Sequence, residues 1–180
     1  MLVLDIPERE LYDEAANEFH SVKPIALRLE HSLVSISKWE SKWKKPFLDR
    51  VGHTEEEILD YVRCMTLNQN VDPFVYSVLN LEDLKKIEEY IGDSMTATTF
   101  SNFGNRQGLR EMVTSELIYY WMVSYNVPFE CQKWHLSRLI TLLRICSVKN
   151  SPQKKMSKRA ILQQNAALNA ARRKKHNTKG

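Results

Sequence analysis

A proline divides the most apolar part of this chain into two segments, and this break constrains the fold more than any other feature. Residues 116–126 repeat their apolar side chains at the spacing of one helical face, and Pro128 follows them. Proline lacks a backbone N–H and disfavours helix in the residue before it, so the first helix must end here. Residues 129–148 are apolar around most of a helix circumference. We therefore predict that this second segment is the central helix of a small core, with the rest of the chain packed around it.

Charge is divided unevenly along the chain. The formal net charge is +4, but Glu130 is the last acidic residue, and residues 131–180 carry thirteen Lys and Arg. Residues 1–130 hold the other thirteen basic residues and all 22 acidic ones, a net charge of −9. An acidic body followed by a basic C-terminal third is typical of a chain whose tail binds nucleic acid or an acidic protein surface.

Length and composition indicate one soluble domain. A chain of 180 residues with 43% hydrophobic residues can bury a sizeable core. The three cysteines (Cys64, Cys131 and Cys146) are widely spaced and predict neither a disulfide framework nor a paired zinc motif. The sequence shows no signal peptide and no apolar stretch of about 18 residues, so we expect no membrane contact and a location in the cytoplasm.

The N-terminal residues carry the pattern of short β-strands. An apolar run over residues 2–6 stops at Pro7, and two further runs flank a turn near residues 13–17. In residues 25–30 apolar and polar side chains alternate, which is the period of a half-buried strand. Two or three short strands are not stable alone in water. We therefore predict a small antiparallel β meander in residues 1–31 that packs on the helices and belongs to the same domain.

Ser32 is a good N-cap for a helix that reaches about Lys44. Trp39 and Trp43 are four residues apart and share one face of this helix, and lysines surround them. Tryptophan beside lysine is a composition that can stack nucleic-acid bases. A helix that buries its tryptophans while its lysines stay in solvent explains the same spacing, and this is the interpretation that we favour.

Two further helices are predicted from their capping signals. Thr54 and Glu57 match a capping box, and Asn80 and Gly92 are typical of the start and the end of a second helix. A short helix after Pro73 is predicted between them. The inward positions of the two longer helices are Ile58, Leu59, Val62, Met65, Leu84, Ile87 and Ile91.

Residues 93–109 are rich in small and hydroxylated side chains and predict a loop. Neither GxxxxGK[ST] nor GxGxxG occurs there, so we favour a connecting or partner-binding loop over a phosphate-binding one. The helix of the first apolar segment is predicted to begin near residues 107–111. Together, residues 32–150 form the predicted helical core, and the chain continues as a basic extension.

Residues 151–180 form this predicted extension. Ser157 is a candidate N-cap for a helix over residues 158–175, whose Ala, Gln and Leu favour helix. Its apolar positions are too few for a buried helix, so we predict that the extension orders against a partner. The predicted partner-binding residues are Lys154, Lys155, Lys158, Arg159, Ile161, Leu162, Leu168, Arg172, Arg173, Lys174 and Lys175.

Catalytic signals are weak. No HExxH, GxSxG or paired-carboxylate signature occurs. Cys131 and His135 are the best chemical candidates, because they lie four apart at a predicted helix start, where the helix dipole lowers a thiol pKa. They fit a thiolate–imidazole pair or two metal ligands, but two residues are too few for a zinc site. We favour a half-buried Cys131 and a hydrogen-bonded His135, and we predict no enzyme activity, no cofactor and no metal site.

Four stretches of the sequence carry a resemblance to a known group of proteins. RLEHSLVSISKWESKWKKPF, DSMTATTF, PFECQKWHLSRLITLLRICS and LNAARRKKHNTKG resemble tailed-bacteriophage proteins, over about residues 25–180. Small helical proteins with charged C-terminal extensions are similar to the tail assembly chaperones of long-tailed phages, which hold the tape-measure protein soluble until the tail tube closes. The resemblance implies no catalytic residue, and no chaperone signature motif is present.

The resemblance implies a non-enzymatic phage morphogenesis protein, a tail assembly chaperone or another virion-assembly interaction protein. Its expected partner is a phage tail or other virion protein, the tape measure among them, bound through the basic extension; oligomerisation stays open. The alternative is a nucleic-acid-binding protein that uses residues 149–180. Their basic clusters suit phosphate contacts, but no helix-turn-helix spacing or stacking motif indicates base readout. An enzyme is the least supported class.

Overall fold

The computed structural model describes residues 1–13, 17–49, 52–98, 112–150 and 158–176. Helices make up most of this described chain and the strands are confined to its N-terminus, which confirms the predicted mainly α, α+β fold class. The strands are β1 (Leu2–Ile6), β2 (Arg9–Asp13), β3 (Glu18–Val22) and β4 (Ile25–Leu29). The helices are α1 (Leu33–Trp43), α2 (Glu55–Met65), α3 (Phe74–Ser77), α4 (Leu81–Gly92), α5 (Ser115–Ser124), a 3₁₀ helix (Phe129–Lys133), α6 (Leu136–Asn150) and α7 (Lys158–His176).

The strands form one long antiparallel ribbon rather than a meander. β1 pairs with β4, and β2 pairs with β3, in two separate two-stranded sheets. The same register runs through both sheets, with Ile6 opposite Ile25 at the end of the first. Pro7 and Pro24 fall between the two sheets, and proline cannot donate a ladder hydrogen bond. The ribbon is therefore interrupted at its two prolines.

One face of the ribbon is buried on the helices, as the sequence predicts. Leu4 and Ile6 of β1 and Leu27 and Leu29 of β4 are almost fully buried. β1 contacts α4, and β3 contacts α3. The alternation of buried and exposed residues along β1 and β4 follows the two-residue period of a strand with one solvated face.

α1 is the central helix of the core. The Ser32 hydroxyl accepts a hydrogen bond from the Ser35 N–H and caps the helix as predicted. Leu33, Ile36 and Trp39 are completely buried. α1 contacts α2, α5 and the 3₁₀ helix, so three other elements pack around it.

The prediction that residues 129–148 form one central helix is wrong. The chain first makes the 3₁₀ helix, and α6 begins only at Leu136. α6 buries a single stripe of Leu136, Leu139 and Leu143, while Val148 is 62% exposed. Apolar side chains around a helix permit burial on every side, but they do not supply the neighbours that such burial needs. α1 has those neighbours, and α6 places much of its apolar surface at the edge of the body.

α5 begins later than residues 107–111, where the sequence predicts it. Residues 112–114 are not helical, and the Thr114 hydroxyl accepts a hydrogen bond from the Leu117 N–H to cap the helix. Of the predicted loop over residues 93–109, residues 93–98 contain no helix or strand, and residues 99–109 lie outside the described part of the chain. α5 buries Ile118 and Met122 against the core.

Both predicted capping signals between α1 and α5 are confirmed. Thr54 with Glu57 and Asn80 with Asp83 form complete capping boxes at α2 and α4. The stripe predicted for α2 is wrong at one position, because Ile58 is 45% exposed. Ile58 lines a depression that residues of α4 also line.

The chain divides into two compact units, Met1–Ser147 and Val148–Gly180. Every apolar side chain found buried in the described residues belongs to the first unit. The second unit contains α7. No helix in the described part of the chain has the length and apolar character needed to span a bilayer.

Candidate functional site

α7 exposes every side chain whose burial is described. Leu162 is 69% exposed and Leu168 is 49% exposed, although leucine is among the residues most often buried in folded proteins. A single exposed leucine is ordinary. The charged residues of α7, however, are all basic, so the helix has no surface on which its own acidic and basic side chains pair. Its exposed apolar positions are therefore available for contact with another molecule.

Basic side chains stand at both ends of α7. Arg159 is exposed near its start, and Arg172, Arg173 and Lys175 are exposed near its end. Cations in the last turn are favourable because the carboxyl end of a helix carries partial negative charge. Among the other predicted binding residues, Lys154 and Lys155 lie outside the described residues, and Lys158, Ile161 and Lys174 belong to α7 with side chains that the structure does not describe.

Four positions of α7 form a row along one side of the helix. Leu168, Ala171, Arg172 and Lys175 follow one another at i, i+3, i+4 and i+7, so their side chains are neighbours on the helix surface. All four are exposed. The row begins with apolar residues and ends with basic ones. This composition suits a helix that buries one apolar side chain in a partner and pairs its basic side chains with acidic residues of that partner.

A groove between α2 and α4 is an apolar feature of the body that sequence reasoning missed. Its volume is about 450 Å³, which falls in the usual range for ligand pockets. Buried Tyr61, Val62 and Ile87 form its base, while Ile58 and the 84% exposed Leu81 stand at its rim. The only sequence signal for it is Leu81, an apolar residue at the first position of α4, where a polar one would suit solvent better.

Charged side chains of both signs line this groove. They include Glu57, Glu88 and Lys85. The Glu57 carboxylate is paired with Lys45, and Glu88 and Lys85 are exposed and opposite in charge. The groove is therefore an apolar depression whose charged residues balance one another.

Glu57 keeps its charge at the edge of the groove. Lys45 donates a hydrogen bond to its carboxylate, as does the Thr54 N–H at 3.0 Å. The Lys45 hydrogen bond, followed by that of Thr54, lowers the pKa of Glu57. The Glu57 carbonyl accepts a hydrogen bond from the Trp39 indole at 2.9 Å, so the start of α2 is fixed to the central helix.

Both tryptophans of α1, and its Lys42, make contacts within the body. The Trp39 and Trp43 rings stack with centroids 6.1 Å apart, which confirms that they share one face. The Trp43 indole donates to Asp60 at 2.9 Å, and Lys42 pairs with the same carboxylate. Burial acts to raise the pKa of Asp60, but these two hydrogen bonds and the nearby cations outweigh it and lower the pKa. These contacts support the structural interpretation of the cluster over stacking on nucleic-acid bases.

Cys131 and His135 lie on either side of the break between the 3₁₀ helix and α6, and not together at the start of one helix. Cys131 is buried, more deeply than predicted, in the 3₁₀ helix before α6, and His135 immediately precedes α6. The Nε2 of His135 donates to the Tyr90 carbonyl at 3.0 Å, which confirms the predicted hydrogen-bonded histidine. In the described residues, no group of three or more His, Cys, Asp or Glu side chains is placed to hold a metal ion.

His135 instead meets a second buried histidine. The rings of His31 and His135 lie edge to face with centroids 5.0 Å apart, and the Nδ1 of His31 lies 2.5 Å from the Tyr61 hydroxyl oxygen. Burial, and then the proximity of His135, lowers the pKa of His31 to about 4. The Leu136 N–H donates to the His31 carbonyl at 2.8 Å. This pair therefore fixes the start of α6 to the segment before α1.

Two surfaces, α7 and the α2–α4 groove, are thus the candidates for binding a partner. The first follows from charge and composition, whereas the second depends on two helices that meet only in the folded chain. No protein-family model, no curated protein and no solved structure matches this chain.

Proposed function

We propose that this chain is a non-enzymatic interaction protein that binds an acidic partner protein through residues 151–180. The observation that carries the proposal is the exposed row on α7, where Leu168 and Ala171 precede Arg172 and Lys175. In proteins most helical stability comes from packing of an apolar face rather than from helix propensity, so a partner surface that covers this row also stabilises α7. Arginine is enriched at protein interfaces and among the residues that contribute most to binding.

The resemblance of the sequence to tailed-phage proteins supports a phage tail or other virion protein as that partner, in a role like that of a tail assembly chaperone. A chaperone of this kind needs a surface that binds its partner protein without catalysing a reaction. An apolar row with basic neighbours supplies this, because apolar burial gives affinity and the charges favour an acidic target. We propose that the chain assists virion assembly in this way.

The proposal is tested by affinity capture from phage-infected cells with the tagged full-length chain, in the presence of nuclease. The wild-type chain is expected to retain one virion protein at both 50 and 200 mM salt, and Leu168→Glu is expected to lose it. Asn169→Glu adds the same charge at the neighbouring exposed position and is the matched control. Equal capture by wild type and Leu168→Glu contradicts the proposal, because the row on α7 would then play no part.

A second candidate function is binding to nucleic acid, and the observation that favours it is the run of four cations at residues 172–175. Binding through six to ten phosphate contacts would weaken by about 10³–10⁵-fold between 50 and 200 mM salt. A protein groove that buries leucine is less sensitive, because apolar burial is not screened by salt. A parallel capture without nuclease that recovers nucleic acid alone, lost at 200 mM salt, supports this second function and excludes the first.

A further inference from the structure

Two buried histidines lie where α6 is attached to the segment before α1. The Leu136 N–H donates to the His31 carbonyl at 2.8 Å, and Ser32 and His135 form an isolated antiparallel β-bridge. The rings of His31 and His135, called here the histidine pair, lie edge to face with centroids 5.0 Å apart. The two residues are only 3% and 6% exposed. The first turn of α6 is therefore held by backbone contacts that the histidine pair adjoins.

The hydrogen bonds of the histidine pair suit uncharged rings. The Nε2 of His135 donates to the Tyr90 carbonyl, so in the neutral ring its Nδ1 carries a lone pair. This Nδ1 is buried and has no hydrogen-bond partner among the described residues. An imidazolium at this position would bury an N–H without an acceptor. The Nδ1 of His31 faces the uncharged Tyr61 hydroxyl.

The elements around the histidine pair contribute neutral phenols and carboxylates that already have partners. Burial raises the pKa of Tyr61 on α2 and of Tyr90 on α4. The Glu30 carboxylate accepts from the Tyr90 hydroxyl at 2.6 Å and pairs with the Met1 amine at 3.0 Å. The Glu40 carboxylate on α1 accepts from two backbone N–H groups. The structure thus pairs neither described imidazole with a carboxylate.

Two thiols are the other titratable groups near these rings. Cys64 lies on α2, where burial raises the pKa of its thiol, and its field acts on Tyr61. Cys131 is buried in the 3₁₀ helix that precedes His135. A neutral thiol does not compensate the charge of an imidazolium, so uptake of a proton by the histidine pair is favoured only when its rings reach water.

α6 has less buried surface than the central helix. Its buried residues are Leu136, Leu139 and Leu143, out of fifteen, whereas α1 completely buries Leu33, Ile36 and Trp39 and is packed by three other elements. Segments with few buried apolar contacts open locally at a lower free energy than the core does. Opening of α6 therefore requires less free energy than unfolding of the body.

We infer that the histidine pair makes the attachment of α6 sensitive to pH: in mild acid α6 opens from the body while α1 and the elements packed on it stay folded. Opening moves His135 away from His31 and lets water reach both rings, so a proton is bound without being buried. The inference goes beyond the proposed function, because it concerns residues 136–150 and needs no partner.

Proton linkage sets the size of the effect. In the closed form, burial and then the neighbouring His135 lower the pKa of His31 from 6.5 to about 4. The open form therefore binds its proton at a higher pH than the closed form. The closed form is fully favoured above pH 6.5 and loses this advantage as the pH falls towards 4. Between pH 7.5 and pH 5 the ratio of open to closed α6 should rise by up to about 30-fold.

Hydrogen exchange of single amides, followed by NMR on the full-length chain at pH 7.5 and pH 5, tests the inference. The amides of Leu136 and Leu139 report on α6, and that of Trp39 reports on α1. After correction for the intrinsic pH dependence of exchange, protection of the two α6 amides should fall by about 30-fold at pH 5. At both pH values these amides should be less protected than Trp39, because α6 opens without the rest of the body.

A pair of substitutions assigns the pH dependence to the histidine pair. His31→Gln cannot titrate, so the protection of its α6 amides should change by less than about threefold over the same interval. His20→Gln is the matched control: His20 is half-buried on β3 and stacks on Phe74 with ring centroids 4.1 Å apart. The control should keep the full decrease seen in the wild-type chain.

Three results overturn the inference. The first is protection of the α6 amides that does not change between pH 7.5 and pH 5 in the wild-type chain. The second is protection equal to that of Trp39 at both pH values, since α6 would then open only when the whole body unfolds. The third is a full decrease that persists in His31→Gln. If His31→Gln fails to fold, the first two measurements on the wild-type chain still decide the outcome.

Discussion

Glu40 joins distant parts of the body through a single buried carboxylate. Its Oε1 accepts a hydrogen bond from the Phe47 N–H, and its Oε2 accepts one from the Ser115 N–H, both at 2.8 Å. The first bond holds the segment that follows α1, and the second holds the start of α5. Glu40 occupies an ordinary position of α1, so nothing in its local sequence indicates that it spans these two elements.

We expect Glu40→Ala to lower the free energy of unfolding by about 3 kcal/mol, because it removes two hydrogen bonds to a charged acceptor and leaves buried donors without a partner. Glu56→Ala, at an exposed position of α2, is the control and should cost less than about 1 kcal/mol. Urea denaturation followed by circular dichroism measures both. Equal midpoints for the two variants would show that the Glu40 contacts contribute nothing particular.

His31 predicts a pH dependence of stability. Burial, with His135 beside it, lowers its pKa from 6.5 to about 4, so the unfolded chain takes up a proton at a higher pH than the folded chain. The stabilisation from neutral His31 is fully present above pH 6.5 and is lost as the pH falls from 6.5 to 4. The loss should reach about 3 kcal/mol, from the free energy of one pKa unit.

This dependence is measured from urea midpoints at several values between pH 7.5 and pH 4. His31→Gln keeps a polar side chain near Tyr61 but cannot titrate, so its stability should change less across the same interval. A slope identical in wild type and His31→Gln would assign the effect to other groups.

At the scale of elements, α6 buries one stripe and leaves the rest of its surface at the edge of the body. Leu139 is completely buried and Leu143 almost completely, whereas Val148 on the same helix is 62% exposed. Leu139→Ala and Leu143→Ala should each cost about 2–5 kcal/mol, the usual range for a buried leucine. Val148→Ala should cost less than about 0.5 kcal/mol. Chemical denaturation of the three variants checks this, and similar small costs at all three positions would mean that α6 does not pack on the core.

At the scale of the whole molecule, the chain divides into two compact units, Met1–Ser147 and Val148–Gly180. Its acidic residues all precede residue 131. Truncation after Asn150 removes nine Lys and Arg residues and no acidic one, which changes the formal net charge from +4 to −5. None of the apolar residues found buried in the described structure is lost. We therefore expect the shortened chain to fold with an unchanged urea midpoint.

The same truncation should abolish capture of a virion protein. Affinity capture from infected cells measures this loss, and circular dichroism with urea denaturation measures the fold of the shortened chain. An unfolded or aggregated product at neutral pH would show that residues 151–180 contribute to the fold of the body, in contrast to the expectation from its buried core.

The sequence alone determined the features that depend on neighbouring residues. Ser32, Thr54 and Asn80 were identifiable as caps because a side-chain oxygen reaches a backbone N–H only three residues away. The strands followed from their alternation, and the basic extension followed from the absence of acids after Glu130. These properties require no knowledge of where other parts of the chain lie.

Only the tertiary structure decided which elements surround which. Apolar composition favoured α6 as the central helix, yet α1 holds that place because α2, α5 and the 3₁₀ helix all pack on it. The contact of His31 with His135 and the apolar groove at Ile58 likewise join residues that are distant in the chain. Burial depends on neighbours brought together by folding, and a periodic pattern specifies a face that can be covered without specifying what covers it.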